Sequence, residues 1–279
     1  MEADFKDWIG RSETVHDPLA ATQALAAQAM LEEPGAPLAD GAALPLPWHW
    51  FYFLPRAQQS ALDRDGHPQR GGFLPPIAFP RRMFAGARIR VLQPLRIGVP
   101  AQREGTIRDV VLKSGKTGSL AFVTVAYRFV QDGVVCLEEE QDIVYREPGG
   151  PVAAPLPADP AALPAGVWAR DWQPDTRLLF RFSALTFNAH RIHYDRPYAR
   201  DVEGYPGLVV HGPLTAAVLL QLVRHSTPRP VVAFSFRGVA PLFDLGPVRL
   251  VATPQDDQVK LEALGPDGAV ALAASATLA

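Results

Sequence analysis

The sequence predicts an α+β protein of two tandem units, each a central helix wrapped by a curved antiparallel sheet. Three observations carry this. Alternating apolar and polar runs of strand length, bounded by turn signals, fill both halves of the chain. Each set of runs follows an apolar helical stretch whose two faces must both be covered. The same order then recurs beyond a Pro- and Ala-rich segment, as duplication of one unit would give. The 279 residues suffice for one large domain or two medium ones, and 48% hydrophobic residues leave ample material for a core. The expected units are residues 1–150 and 165–279, with 151–164 as a linker.

Taken in order, residues 17–33 read as a helix. Asp17 is suited to its N-cap, Pro18 to its first turn, and Pro34-Gly35 to its end. Leu25, Met30 and Leu31 are its expected core residues. A loop-rich stretch, 34–80, follows. Within it Trp48-His49-Trp50-Phe51-Tyr52-Phe53 reads as a strand, either sheet core or a wall for an apolar ligand. Four strands are then expected at 87–97, 105–114, 119–131 and 134–146, with turns at Gly115-Lys116-Thr117-Gly118 and Asp132-Gly133. In the second half, 178–185 reads as a strand and 212–225 as an apolar helix. Strands are expected at 231–238, 247–253, 258–264 and 269–278, the last pair joined through Gly265-Pro266-Asp267-Gly268.

Composition removes several classes of function. A formal net charge of -2 gives no strongly basic surface for nucleic acid. Cys136 is the single cysteine, so no internal disulfide forms, and its apolar neighbours mark it as core. No Cys/His cluster has zinc-like spacing, and no metal is expected. The N-terminus is acidic and lacks a signal-peptide apolar core, and no segment approaches the roughly 20 apolar residues of a membrane helix. A cytoplasmic setting is the expectation.

Two segments carry chemistry. The first runs from Phe182 to Asp195 and packs Asn188, His190, Arg191, His193 and Asp195 into eight residues. So many polar groups cannot be buried unless each finds a partner. The second, Gly204 to Ala217, contains Val210-His211-Gly212-Pro213 where a buried helix begins. Free backbone N–H groups and the positive dipole end at such a helix start suit an oxyanion.

Together these segments resemble the MaoC-like hydratase and dehydratase family of the hot-dog fold. That family carries Asp-x-Asn-Pro-Ile/Val-His, then a His-Gly pair opening the central helix. Here the first motif stands as Asn188-Ala189-His190-Arg191-Ile192-His193: spacing and final histidine are kept, while the aspartate is replaced by Asn188, the asparagine by His190 and the proline by Arg191. Phe84-Ala85-Gly86-Ala87-Arg88-Ile89 and Glu138 to Arg146 also resemble a two-domain branch that includes the type 2 hydroxyacyl-thioester dehydratases and mesaconyl-C4-CoA hydratases. In that branch the N-terminal hot-dog has lost the motif and serves substrate accommodation, while the C-terminal one is catalytic. The resemblance implies a double hot-dog and reversible hydration of an enoyl-CoA thioester.

The implied substrate is a small branched or dicarboxylic acyl group, such as mesaconyl-C4-CoA or itaconyl-CoA, giving a citramalyl-CoA. Alternatives are a straight-chain 3-hydroxyacyl thioester dehydratase, an acyl-CoA thioesterase and a non-catalytic acyl-CoA-binding protein. The resemblance assigns Gly212 N–H to the thioester oxygen. Asn188 cannot act as a base at neutral pH, so His193 is expected to move the protons while Asn188 fixes the water, with His190 as the alternative base. His190, Arg191, His211 and Tyr194 are candidate substrate contacts. Coenzyme A enters as part of the substrate, with no separate cofactor. Arg81, Arg82, Arg88 and Arg90 form a basic cluster that reads as a solvated face or as phosphate ligands. Homodimerisation is a further expectation.

Overall fold

The computed structural model describes residues 5–115, 118–159 and 161–279. Ten strands form one antiparallel sheet. In the first half they are β1 (Ser12–Asp17), β2 (Arg81–Val91), β3 (Ala101–Gly115), β4 (Gly118–Gln131) and β5 (Val134–Arg146). In the second they are β6 (Trp168–Trp172), β7 (Val231–Gly238), β8 (Val248–Gln255), β9 (Gln258–Leu264) and β10 (Val270–Leu278). The sheet order is β1-β3-β4-β5-β2-β7-β10-β9-β8-β6. Read outward from its centre, each half repeats the other: 2-5-4-3-1 against 7-10-9-8-6. The halves meet where β2 pairs with β7, from Gly86 opposite Arg237 to Arg90 opposite Ala233. Gly86 is required at this seam, because a Cβ there would lie 2.3 Å from the Phe236 carbonyl oxygen.

Helix α1 (Ala21–Met30) follows β1 just as α2 (Thr176–Leu185) follows β6. The second half adds α3 (Arg196–Asp201) and the long α4 (Gly212–Ser226). Every residue of α4 from Leu214 to Val223 is buried, as a helix apolar all round must be. Among the described residues the first half has no counterpart of α4. Between α1 and β2 it has only 3-10 turns at Trp48–Phe51 and Gln59–Ala61.

Several expectations are therefore corrected. Residues 178–185 are helical: Asp175 caps α2 by accepting the Leu178 N–H at 2.8 Å, and the buried Leu179, Phe182 and Ser183 follow helical spacing. Asp17 does not cap α1. It ends β1, and its carboxylate accepts the N–H groups of Leu19 and Phe53, each at 2.9 Å. In α1 the buried face is Ala24, Ala27 and Met30, joined by Leu31, while Leu25 is exposed. Trp48–Phe51 is a 3-10 turn whose rings pack inward, with Trp48 and Phe51 buried. Strand β2 begins and ends six residues before its expected bounds, and β1 and β6 had no expected strand at all. The Lys116-Thr117 turn lies outside the described residues. Cys136 is buried, as read. Three of the four clustered arginines have carboxylate partners: Arg81 pairs with Glu203, Arg88 with Glu140 and Asp142, and Arg90 with Glu138.

Candidate active site

The motif follows a helix, not a strand. After α2 the chain reverses through Phe187, at φ 50°, and Asn188 N–H donates to the Ser183 carbonyl at 2.8 Å. Asn188 Oδ1 accepts the His190 N–H at 3.0 Å, a local turn that leaves the side-chain amide nitrogen for other partners. A 3-10 turn over Arg191–His193 then aims His193 inward. Its Nδ1 donates to the Val209 carbonyl at 2.7 Å, so the lone pair sits on Nε2. Burial pushes the His193 pKa down to about 4, which keeps the ring neutral near pH 7 with its Nε2 lone pair free to accept a proton.

His211 lies face to face with His193, ring centroids 3.6 Å apart. Its Nε2 shares a 2.9 Å hydrogen bond with Ser183 Oγ, and burial holds its pKa well below the ordinary value. His211 is the N-cap residue of α4, and Gly212 is the first residue of that helix. No acceptor within the described residues pairs with the Gly212 N–H. A Cβ on Gly212 would meet nothing closer than 3.9 Å, so this position needs glycine only if a ligand approaches the backbone.

These groups line one cavity of about 660 Å³ that spans both halves of the molecule. Asn188, His190, His193, His211 and Gly212 all contribute to its wall. Arg191 and Tyr194 do not. Arg191 is held by Asp195 at 2.8 Å and lies over the Tyr198 ring, and the Tyr194 hydroxyl donates to the Ala189 carbonyl. Both brace the loop.

The first half supplies groups the sequence did not single out. The loop around Gly66 is sewn onto the motif: Arg191 N–H donates to the Asp65 carbonyl at 2.9 Å, and the Arg191 guanidinium to the Arg64 carbonyl. Asp65 accepts from His67 Nδ1 at 2.9 Å, and the His67 ring packs on His190 at 4.1 Å. The three could approach one cation, since their ligand atoms lie within 4.8 Å of one another. A cation there would have to displace the Asp65–His67 hydrogen bond. Deeper in the wall, His49 Nε2 pairs with Glu139 at 2.9 Å, and Glu139 also accepts from Trp50 and Gln141. Arg82 lines the cavity half-buried, with no carboxylate partner among the described residues. The sequence signal was faint: an acid, a glycine and an imidazole in a loop far from the motif.

The architecture is the double hot-dog of MaoC-like dehydratases. A solved MaoC-like dehydratase superposes with a TM-score of 0.72 at 12% identity, covering 99% of both chains. HtdX of Mycobacterium tuberculosis gives 0.66 at 17% identity, covering 95% of this chain and 99% of that one. Within that class the chain belongs to the hydroxyacyl-thioester dehydratase type 2 family, whose model matches residues 47–244. It is 64% identical over 277 residues to mesaconyl-C(4)-CoA hydratase of Chloroflexus aurantiacus, covering 99% of this chain and 98% of that protein.

Proposed function

We propose that this chain is a hydro-lyase that reversibly hydrates mesaconyl-C4-CoA to a citramalyl-CoA. The observation that carries the reading is the placing of a neutral imidazole and a free helix-start N–H on one cavity, in a chain so similar to a hydratase of that substrate. Hydration needs a base for water, a proton for the α-carbon and donors for the thioester oxygen. His193 Nε2 takes the proton as the water oxygen bonds to the β-carbon. Gly212 N–H, at the positive end of α4, holds the charge that develops on the thioester oxygen. Asn188 orients the water through its amide.

The free carboxylate of a dicarboxylic acyl group sits on the β-carbon, beside the point of attack. It needs a cation within a few ångströms of the base, and Arg82 is a cavity-lining cation without a carboxylate partner. Among the described residues the first half has no counterpart of α4, and we infer that the acyl group takes that space. We assign substrate accommodation to residues 1–150, catalysis to 165–279, and coenzyme A to the substrate alone. No helix among the described residues is long and apolar enough to cross a membrane, and we place the enzyme in the cytoplasm.

The test mixes the protein with mesaconyl-C4-CoA, itaconyl-CoA, crotonyl-CoA and a longer enoyl-CoA and follows gain of one water by mass spectrometry. Water gain on mesaconyl-C4-CoA that His193→Ala abolishes supports the reading. Preference for the straight chains points to fatty-acyl dehydration, release of free coenzyme A to a thioesterase, and no reaction to a binding protein.

A further inference from the structure

We propose that Asp65 and His67, from the first half of the chain, form the second acid–base couple of the site and stand in for the carboxylate absent at position 188. The inference rests on the hydratase reading above and adds residues outside the motif. Its starting point is a deficit. An amide at position 188 moves no proton, and His193 is backed only by a neutral carbonyl. Each proton His193 accepts therefore creates an uncompensated cation in a buried site. The Asp65–His67 couple removes that cost. It carries one negative charge when His67 is neutral and none when His67 is protonated, as a lone aspartate would.

The couple and His193 lie near one another on the cavity wall. From His193 the ring of His190 is 5.3 Å away, edge to face, and the ring of His67 a further 4.1 Å, with Asp65 hydrogen-bonded behind it. His67, His190 and His193 all line the cavity. Asp65 is held for this task twice over: Oδ2 accepts from His67 Nδ1 and Oδ1 from the His67 backbone N–H, each at 2.9 Å. That fixes the His67 tautomer and leaves Nε2 as its working nitrogen. The loop cannot drift, because Gly66 packs directly on the Ala189 carbonyl.

The water oxygen bonds to the β-carbon as its proton passes to His193 Nε2. The π bond breaks, and its electron pair moves onto the α-carbon and thioester oxygen. The proton passes from His193 to His67 by way of solvent in the cavity both line, and the resulting imidazolium is balanced by Asp65. The α-carbon then takes a proton from His67 Nε2, and every protein group ends as it began. In this sequence His67 and His193 are catalytic residues, and Asp65 is a positioning residue.

The experiment compares wild type, His67→Asn, Asp65→Asn and Asp65→Glu on mesaconyl-C4-CoA, each with a melting curve and a pH profile of kcat. Asp65→Asn keeps an oxygen for the His67 backbone N–H, so the turn survives. His67→Asn is expected to lose about 100-fold or more in kcat with KM within about threefold, the range for one acid–base group. Asp65→Asn is expected to move the kcat limb set by His67 to lower pH, because losing the anion lowers the imidazole pKa, and Asp65→Glu to restore it in part. Unchanged kcat and pH profile in both His67→Asn and Asp65→Asn, with wild type active, would overturn the couple and leave the hydratase reading intact. Loss of wild-type turnover on chelation, restored by zinc, would overturn it in favour of a cation at the same three residues. Wild type inactive on every thioester would sink both readings.

Discussion

Acidification should weaken this fold through His193 in a way that one substitution can isolate. An unfolded histidine titrates near 6.5, whereas burial holds His193 down at about 4. Between those values the unfolded chain binds a proton that the folded chain refuses. Stability therefore rises with pH across this window and is lost as pH falls through it. For this side chain alone the linkage amounts to about 2.5 kcal/mol at pH 4.5 against roughly 0.2 kcal/mol at pH 7. His193→Asn removes the titration while keeping a donor within reach of the Val209 carbonyl. Urea unfolding at both pH values, in wild type and variant, gives the double difference, and carboxylates that titrate in both proteins cancel. The loss of stability between pH 7 and pH 4.5 should be smaller in the variant by about 2 kcal/mol. Equal losses would refute the claim that the folded protein keeps this ring neutral. The same shift fixes the kinetics: kcat/KM should stay level well below pH 6.5 and fall only toward pH 4. A limb centred on 6.5 would place the working base in solvent.

Three further outcomes follow from local geometry. Gly66→Ala should be costly to activity, since its Cβ would fall 1.7 Å from the Ala189 carbonyl oxygen at a φ of 94°, pushing the loop off the motif; turnover should fall more than tenfold, about 1.4 kcal/mol or more in the barrier, and wild-type rates would show that the seam is loose. Ser183→Ala leaves His211 Nε2 without its partner in a buried site and should cost about 1–3 kcal/mol in denaturant unfolding. Gly212→Ala should leave the melting temperature nearly unchanged, because the methyl has 3.9 Å of clearance, yet lower kcat/KM by obstructing approach to the N–H; an unaffected kcat/KM would remove Gly212 from the site.

What the sequence disclosed depended on the range of the interaction that decides each element. Strands β5, β7 and β9 lie at their expected residues and α4 within one, because alternation or continuous burial is written into each segment alone. Segment 178–185 was misread because its apolar residues include Phe180, which is exposed, so the buried set looked denser than helical spacing. The aromatic run at 48–53 was misread because rings that pack in a core do not dictate a strand. Within the motif, Asn188, His190 and His193 were legible as a cluster, whereas the bracing roles of Arg191 and Tyr194 depend on partners that only the folded loop supplies.

The duplicated topology explains why the remaining site residues were hidden. Had each half kept a buried central helix, the space before β2 would be filled, and the motif loop would face apolar side chains. Instead the first half spends that length on a loop, and the loop crosses to the other half: Arg191 reaches the Arg64 carbonyl over 127 positions. No local period or spacing encodes such a contact. It arises because β2 and β7 pair and set the ends of the two halves side by side. With no counterpart of α4 among its described residues, the first half instead brings a loop with polar groups to the motif of the second. His67 and Arg82, one on the crossing loop and one on β2, both line the cavity in which His193 lies. Residues of the first half form part of this cavity's wall, and on the proposed reading substitutions there should alter turnover and substrate choice as strongly as substitutions in the motif.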